Sequence, residues 1–221
     1  MNITGIYLVT DRASLFGKSL DDVILHAVKG GVTMVQLREK NVSTRFFIEE
    51  ARRIRKILSP YAIPLIINDR VDVALAVGAE GVHIGQEDMP YPIARKLLGP
   101  EAIIGLSVET PEQVAVAEDF DVTYLGVSAI FVTPTKNDIR CHWGLAGLRK
   151  IRAMSRHPLV AIGGINAANV VDVMQAGADS LAVVSAICSA ADPQRATEHL
   201  RHLILDARSA EYALIFNTQK G

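Results

Sequence analysis

Short β-rich runs and helical patterns alternate eight times along this chain, and few architectures accept that order. Strand-like runs stand at Ile6 to Val9, Met34 to Leu37, Leu65 to Ile67, Val82 to Ile84, Ile103 to Leu106, Tyr124 to Val127, Leu159 to Ile162 and Leu181 to Val184. Each leads into a helical stretch, from LDDVILHAVK after the first to PQRATEHLRHLILDARSAEY after the last. Sustained alternation implies a parallel sheet, and eight units within 221 residues imply one closed (β/α)8 TIM barrel. An open doubly wound sheet is the second choice, since it normally has fewer strands and a glycine-rich turn where this chain has TDRASLFG. Ser43, Thr110 and Asp192 look like helix starts, and Gly30, Gly78, Gly99 and Gly177 like helix ends. One domain over 1–210 is expected, with a frayed tail over 211–221.

Composition narrows the partners. A formal net charge of -1 argues against a nucleic-acid or anionic-membrane surface. Hydrophobic content of 49% is ordinary for a soluble globule, and no apolar run reaches spanning length. The first residues, MNITGIYLVTD, enter a strand with no signal-like segment, so a cytoplasmic location is expected. Cys141 and Cys188 are far apart and match no metal or redox spacing, so both read as free thiols.

The segment VQLREK, Val35 to Lys40, carries the strongest chemical signal. A period of two puts Gln36, Arg38 and Lys40 on one side and Val35 and Leu37 on the other. Two cations gathered at a strand end point to an anionic, phosphorylated ligand; the alternative is an edge strand displaying charge to solvent. In a barrel of this kind the chemistry sits on the loops after the strands. Those loops hold Arg38 and Lys40; Asn68, Asp69 and Arg70; Gln86, Glu87 and Asp88; Ser107 and Glu109; Thr133, Thr135, Lys136 and Asp138; then IGGIN and VVSA.

The last two loops read as a phosphate site, because Gly163 and Gly164 let backbone come close and Ser185 adds a hydroxyl. Paired glycines making only a tight turn are the alternative. Asp69 and Asp88, on neighbouring strand ends, suit a Mg²⁺ ion that keeps several waters and bridges to substrate phosphates. Each could instead cap a helix, but that leaves Arg38, Lys40 and Lys136 with no anionic partner. One phosphomonoester at strands 7 and 8, and a diphosphate held by Arg38, Lys40, Lys136 and the metal, make departure of diphosphate the expected chemistry. His83 reads as a satisfied core histidine, Trp143 as a packing residue, and Arg52, Arg53, Arg55 and Lys56 with Glu49 and Glu50 as a solvated helix face.

Taken together these segments resemble the thiamine phosphate synthase family, which joins hydroxymethylpyrimidine diphosphate to thiazole phosphate. The resemblance runs from YLVTD at Tyr7 through VQLREK, LIIND, GVHIGQED, IGLS, the TPTK loop and AIGGI to VVSAI, ending at Ile187. It implies pyrimidine diphosphate contacts at Gln36, Leu37, Arg38, Glu39, Lys40, Asn68, Ser107 and Lys136, with Arg38, Lys40 and Lys136 catalytic. It implies magnesium ligands at Asp69 and Asp88, and thiazole phosphate contacts at Thr133, Pro134, Thr135, Gly164, Val184 and Ser185. The implied reaction is dissociative: diphosphate leaves with help from Mg²⁺ and the cations, and the thiazole nitrogen captures the pyrimidine-methyl cation. Ala129 and the stretch from Ile139 to His142 depart from the family pattern. A thiazole tautomerase of the same superfamily and a non-catalytic phosphometabolite-binding barrel are the rival readings; neither needs Asp69, Asp88 and Lys136 together. Partners are small phosphorylated substrates, and a homo-oligomer is compatible with the sequence.

Overall fold

The computed structural model describes residues 3–133 and 142–218, with side chains through 209. Eight parallel strands close in sequence order: β1 (Gly5–Val9), β2 (Met34–Leu37), β3 (Leu65–Asn68), β4 (Gly81–Ile84), β5 (Ile103–Val108), β6 (Tyr124–Ser128), β7 (Leu159–Ile162) and β8 (Ser180–Val183). Closure is made by β8 pairing with β1, where Leu8 lies opposite Val183. Around them run α1 (Leu20–Gly30), α2 (Thr44–Leu58), α3 (Val71–Val77), α4 (Tyr91–Leu98), α5 (Pro111–Ala117), α6 (Gly144–Met154), α7 (Val170–Gln175), α8 (Ser185–Cys188) and α9 (Pro193–Thr218). The four-residue α8, directly after β8, is an addition to the eight helical patterns of the sequence.

Strand parity sorts the side chains into two cores. Ile6, Leu8, Val35, Leu37, Leu65 and Ile67 point outward and join the apolar layer under the helices. Their alternates Tyr7, Val9, Met34, Ile66, Ile103, Tyr124 and Val160 fill the barrel interior. Helix α2 meets the outer layer through Phe47, Ala51, Ile54 and Leu58, spaced so that one stripe is buried. Truncating Phe47 to alanine would cost about 3–5 kcal/mol, the range for emptying a fully packed aromatic site.

Caps account for the helix boundaries. The hydroxyls of Ser43 and Thr110 accept from the backbone N–H of Phe46 and Gln113, and Asp192 accepts from Arg195 N–H. Gly78 is left-handed at the end of α3, as expected. The end of α1 differs from expectation: Gly31 is the left-handed residue, with φ 104°, while Gly30 is helical. Gly30 is small for packing, since a Cβ there would sit 2.6 Å from Gln194 O and Thr197 Cβ on α9. Gly177, likewise, follows the cap residue Ala176 of α7.

Candidate active site

Climbing β2, β3 and β5, the interior changes from apolar to polar. Met34 gives way to Gln36 on β2, Ile66 to Asn68 on β3, and Ile103 to Ser107 on β5, two positions apart or four, always on the inward parity. Above the plug of apolar side chains opens a cavity of about 570 Å³ at the C-terminal ends of the strands. That volume is typical of a site that encloses a small organic ligand.

The cavity gathers most of the residues singled out in the sequence: Gln36, Arg38, Lys40, Asn68, Asp69, Asp88, Ser107, Thr133, Gly164, Val184 and Ser185 all line it. Leu37 and Glu39 take the opposite parity. Leu37 is fully buried under the helices, and Glu39 pairs with Arg12 at 2.7 Å, so only their backbones are placed to serve a ligand. Burial nonetheless pushes the Glu39 carboxyl up, against the pull of Arg12. Pro134, Thr135 and Lys136 lie outside the described residues.

The cations are not without intrinsic partners, which corrects an inference drawn from the sequence. Arg38 Nη1 is 3.2 Å from Asp11 Oδ1, and Lys40 Nζ is 2.6 Å from Asp69 Oδ2. Asp11 lies 27 residues from Arg38, and the parallel pairing of β1 with β2 brings them together. Glu50 also departs from its expected role. It is buried, and it bridges Arg12 and Arg53, tying the loop after β1 to α2.

Neither acidic candidate caps a helix. The residues at the starts of α3 and α4 are Arg70 and Pro90, and neither start has a side-chain cap. Asp69 instead holds φ 63°, a conformation uncommon outside glycine, and its backbone N–H donates to His83 O at 2.8 Å. Asp88 Oδ2 accepts from Gly85 N–H at 2.7 Å. Burial, and then the nearby Asp69 carboxylate, push the Asp88 carboxyl up. Two adjacent carboxylates, one disfavoured in its charged form, are a hard-oxygen donor set of the kind that Mg²⁺ takes while retaining waters. Asn68 Nδ2, in the same cavity, is buried without a partner, a donor that a bound ligand would satisfy.

On the opposite wall Gly163 and Gly164 have φ 103° and 67°. A Cβ on Gly163 would meet Ala129 Cβ at 2.5 Å, and one on Gly164 would meet Val132 O at 2.7 Å. The pair therefore serves both a left-handed turn and the close approach of the loop after β6. His83 is satisfied, as expected of a core histidine, yet it also lines the cavity. Its ring nitrogens stand 3.0 Å from Tyr124 Oη and 2.8 Å from Ser107 Oγ. Tyr7 and Tyr124, neither of which the sequence marked as functional, line the same cavity.

Fold and site define a TIM barrel with a charged, polar cavity on its C-terminal face, where enzymes of this architecture carry their chemistry. Residues 6–187 match the model of the thiamine monophosphate synthase family, and the chain belongs to that family. A thiamine-phosphate synthase of Albidiferax ferrireducens is 57% identical over 199 residues, covering 90% of this chain and 91% of that protein. One from Vibrio campbellii is 51% identical, covering 92% and 100%. The solved thiamine phosphate pyrophosphorylase from Pyrococcus furiosus superposes with a TM-score of 0.84 at 39% identity, covering 93% of this chain and 98% of that one.

Proposed function

We infer that this chain is a transferase that condenses 4-amino-2-methyl-5-(diphosphooxymethyl)pyrimidine with 4-methyl-5-(2-phosphoethyl)thiazole, giving thiamine phosphate and diphosphate. The observation that carries the reading is the meeting, in one cavity, of Asp69 and Asp88, carboxylates that cap no helix, with Arg38 and Lys40. The family and the relatives named above agree with it. A tautomerase or a passive binding barrel would have no use for that cluster.

Asp69 and Asp88 would hold Mg²⁺, which when bound supplies positive charge to the diphosphate oxygens. Arg38 and Lys40, with Lys136 from the loop after β6, add charge-assisted hydrogen bonds to the same oxygens as the C–O bond breaks and its electron pair leaves with diphosphate. Gln36, Asn68 and Ser107 hold the pyrimidine ring through neutral donors and acceptors. Thr133 to Thr135, Gly164, Val184 and Ser185 hold the thiazole phosphate so that the thiazole nitrogen lone pair faces the methylene carbon, where the new C–N bond forms. The chain supplies position and charge, and no side chain has to act as nucleophile.

In this reading the enzyme works in the cytoplasm on small phosphorylated molecules, with no nucleic-acid or membrane partner, and assembly into a homo-oligomer is compatible but not required. Among the described residues no helix is long and apolar enough to cross a membrane. The test is incubation of the purified chain with both substrates, with and without Mg²⁺, assaying diphosphate and thiamine phosphate. Thiamine phosphate formed only with the metal is the expected result; a purified chain that forms none with both substrates and Mg²⁺ is not this transferase.

A further inference from the structure

The geometry points to Tyr7, Tyr124 and His83 as positioning residues: a one-way hydrogen-bond chain through the barrel interior that leaves Gln36 as an acceptor and Ser107 as a donor for the pyrimidine ring. The identity of that ring rests on the functional reading above; the hydrogen-bond chain itself does not.

Five side chains from five strands stand in sequence. Gln36 Nε2 donates to Tyr7 Oη at 2.8 Å, and Tyr7 Oη is 2.9 Å from Tyr124 Oη. Tyr124 Oη is 3.0 Å from His83 Nδ1, and His83 Nε2 is 2.8 Å from Ser107 Oγ. A phenol carries one proton. Tyr7, having accepted from Gln36, spends its own proton on Tyr124; Tyr124 then spends its proton on His83 Nδ1. His83 is thereby the neutral Nε2–H tautomer and donates to Ser107, whose hydroxyl proton remains for a ligand. Gln36, with one N–H given to Tyr7 and its amide oxygen thereby turned away from the phenol, offers that oxygen as an acceptor. Burial pushes both phenols well above their ordinary range, so both keep their protons.

The interior is built around these rings. A Cβ on Gly105 would fall 2.1 Å from Tyr124 Cζ, and one on Gly126 would fall 2.7 Å from His83 Cε1, so both rings occupy space that glycines vacate. Tyr7 and Tyr124 meet edge to face at 5.8 Å, and His83 stacks on Tyr124 at 5.6 Å. An exocyclic amine donates and a pyrimidine ring nitrogen accepts, which matches an acceptor at Gln36 and a donor at Ser107. An oxo-pyrimidine with a protonated ring nitrogen presents the inverse pattern and would leave buried polar groups unpaired. The reverse polarity of the chain would need Nδ1–H on His83 and a turned Gln36 amide.

Nitrogen NMR of the unliganded parent, with His83 assigned among the six histidines by its missing signals in His83→Asn, reads the tautomer directly. Nε2–H is expected at neutral pH; Nδ1–H or a doubly protonated ring overturns the proposal. Tyr124→Phe should lose this tautomer preference, and kcat/KM for the pyrimidine diphosphate should fall at least about tenfold while KM for the thiazole phosphate holds. The variant's preference for the amino substrate over its oxo analogue should narrow as well. Parent-like tautomer and kinetics in Tyr124→Phe overturn the chain. If the parent makes no thiamine phosphate, the functional reading fails and the tautomer measurement still decides the hydrogen-bond chain.

Discussion

Lys40 Nζ lies 2.6 Å from Asp69 Oδ2 at the mouth of the cavity, so a carboxylate assigned to a divalent cation is held by a lysine assigned to a diphosphate. The two assignments are linked, because a metal at Asp69 would displace Lys40 and release it toward substrate. The lysine side chain is half exposed, and such pairs contribute only about 0–1 kcal/mol. Lys40→Met should therefore raise the Mg²⁺ affinity of the unliganded chain by no more than about fivefold, while weakening the pyrimidine diphosphate. Calorimetric titration of each ligand separately checks both signs, and an unchanged Mg²⁺ affinity would show that lysine and metal do not compete.

Asp69→Asn and Asp88→Asn remove charge while keeping shape. Asparagine tolerates the left-handed conformation of residue 69, so thermal stability should change by no more than about 1 kcal/mol. Asp69→Ala should lose roughly 1–2 kcal/mol beyond that, the cost of φ 63° for an ordinary side chain. Turnover should collapse in both asparagine variants and recover partly at high Mg²⁺. Parent rates at low Mg²⁺ would dismiss the two-carboxylate metal site.

Ser185 is exposed and lines the cavity beside Gly164, so an aspartate fits there without disturbing the core. Ser185→Asp places a negative charge where a phosphomonoester is expected. Affinity for the thiazole phosphate should fall at least about tenfold, the effect of roughly 1.4 kcal/mol of repulsion, with pyrimidine diphosphate affinity largely kept. Equal losses for both substrates would show that the two subsites are wrongly divided.

Cys188 is buried, and burial pushes its thiol from 9.0 up to about 11. An acid with a raised folded pKa gives stability that is whole below its unfolded value and lost as pH rises through the folded one. Melting temperature should accordingly decline as pH climbs from about 9 toward 11. Alkylation at pH 8, read by peptide mapping so that Cys141 is counted separately, should spare Cys188 until the chain unfolds. Prompt labelling of native Cys188 would contradict its burial.

Much of this molecule is legible in one dimension because its rules are local. Period two along VQLREK assigns Gln36, Arg38 and Lys40 to the cavity, and eight repeats of strand and helix leave little choice but a barrel. Asp69 and Asp88 are visible because strand ends in such a barrel face one side. The same parity applied strictly would also have turned the side chains of Leu37 and Glu39 away from the cavity. Four-residue α8 escaped because so short a segment has no period to read.

What tertiary structure alone decided is which strand ends meet. Tyr7 and Tyr124 are 117 residues apart, and their hydroxyls touch only because eight strands close on themselves and Gly105 vacates the space that the Tyr124 ring fills. Arg38 finds Asp11, and Arg12 finds Glu50, through the pairing of β1 with β2: the charges are written locally, but their partners are set by which strands lie side by side. The sequence by itself determined the alternation, the inward set and which charged side chains stand at the strand ends. Pairing across the barrel depends on through-space distances, and a linear pattern of residues does not contain those until the sheet is shut.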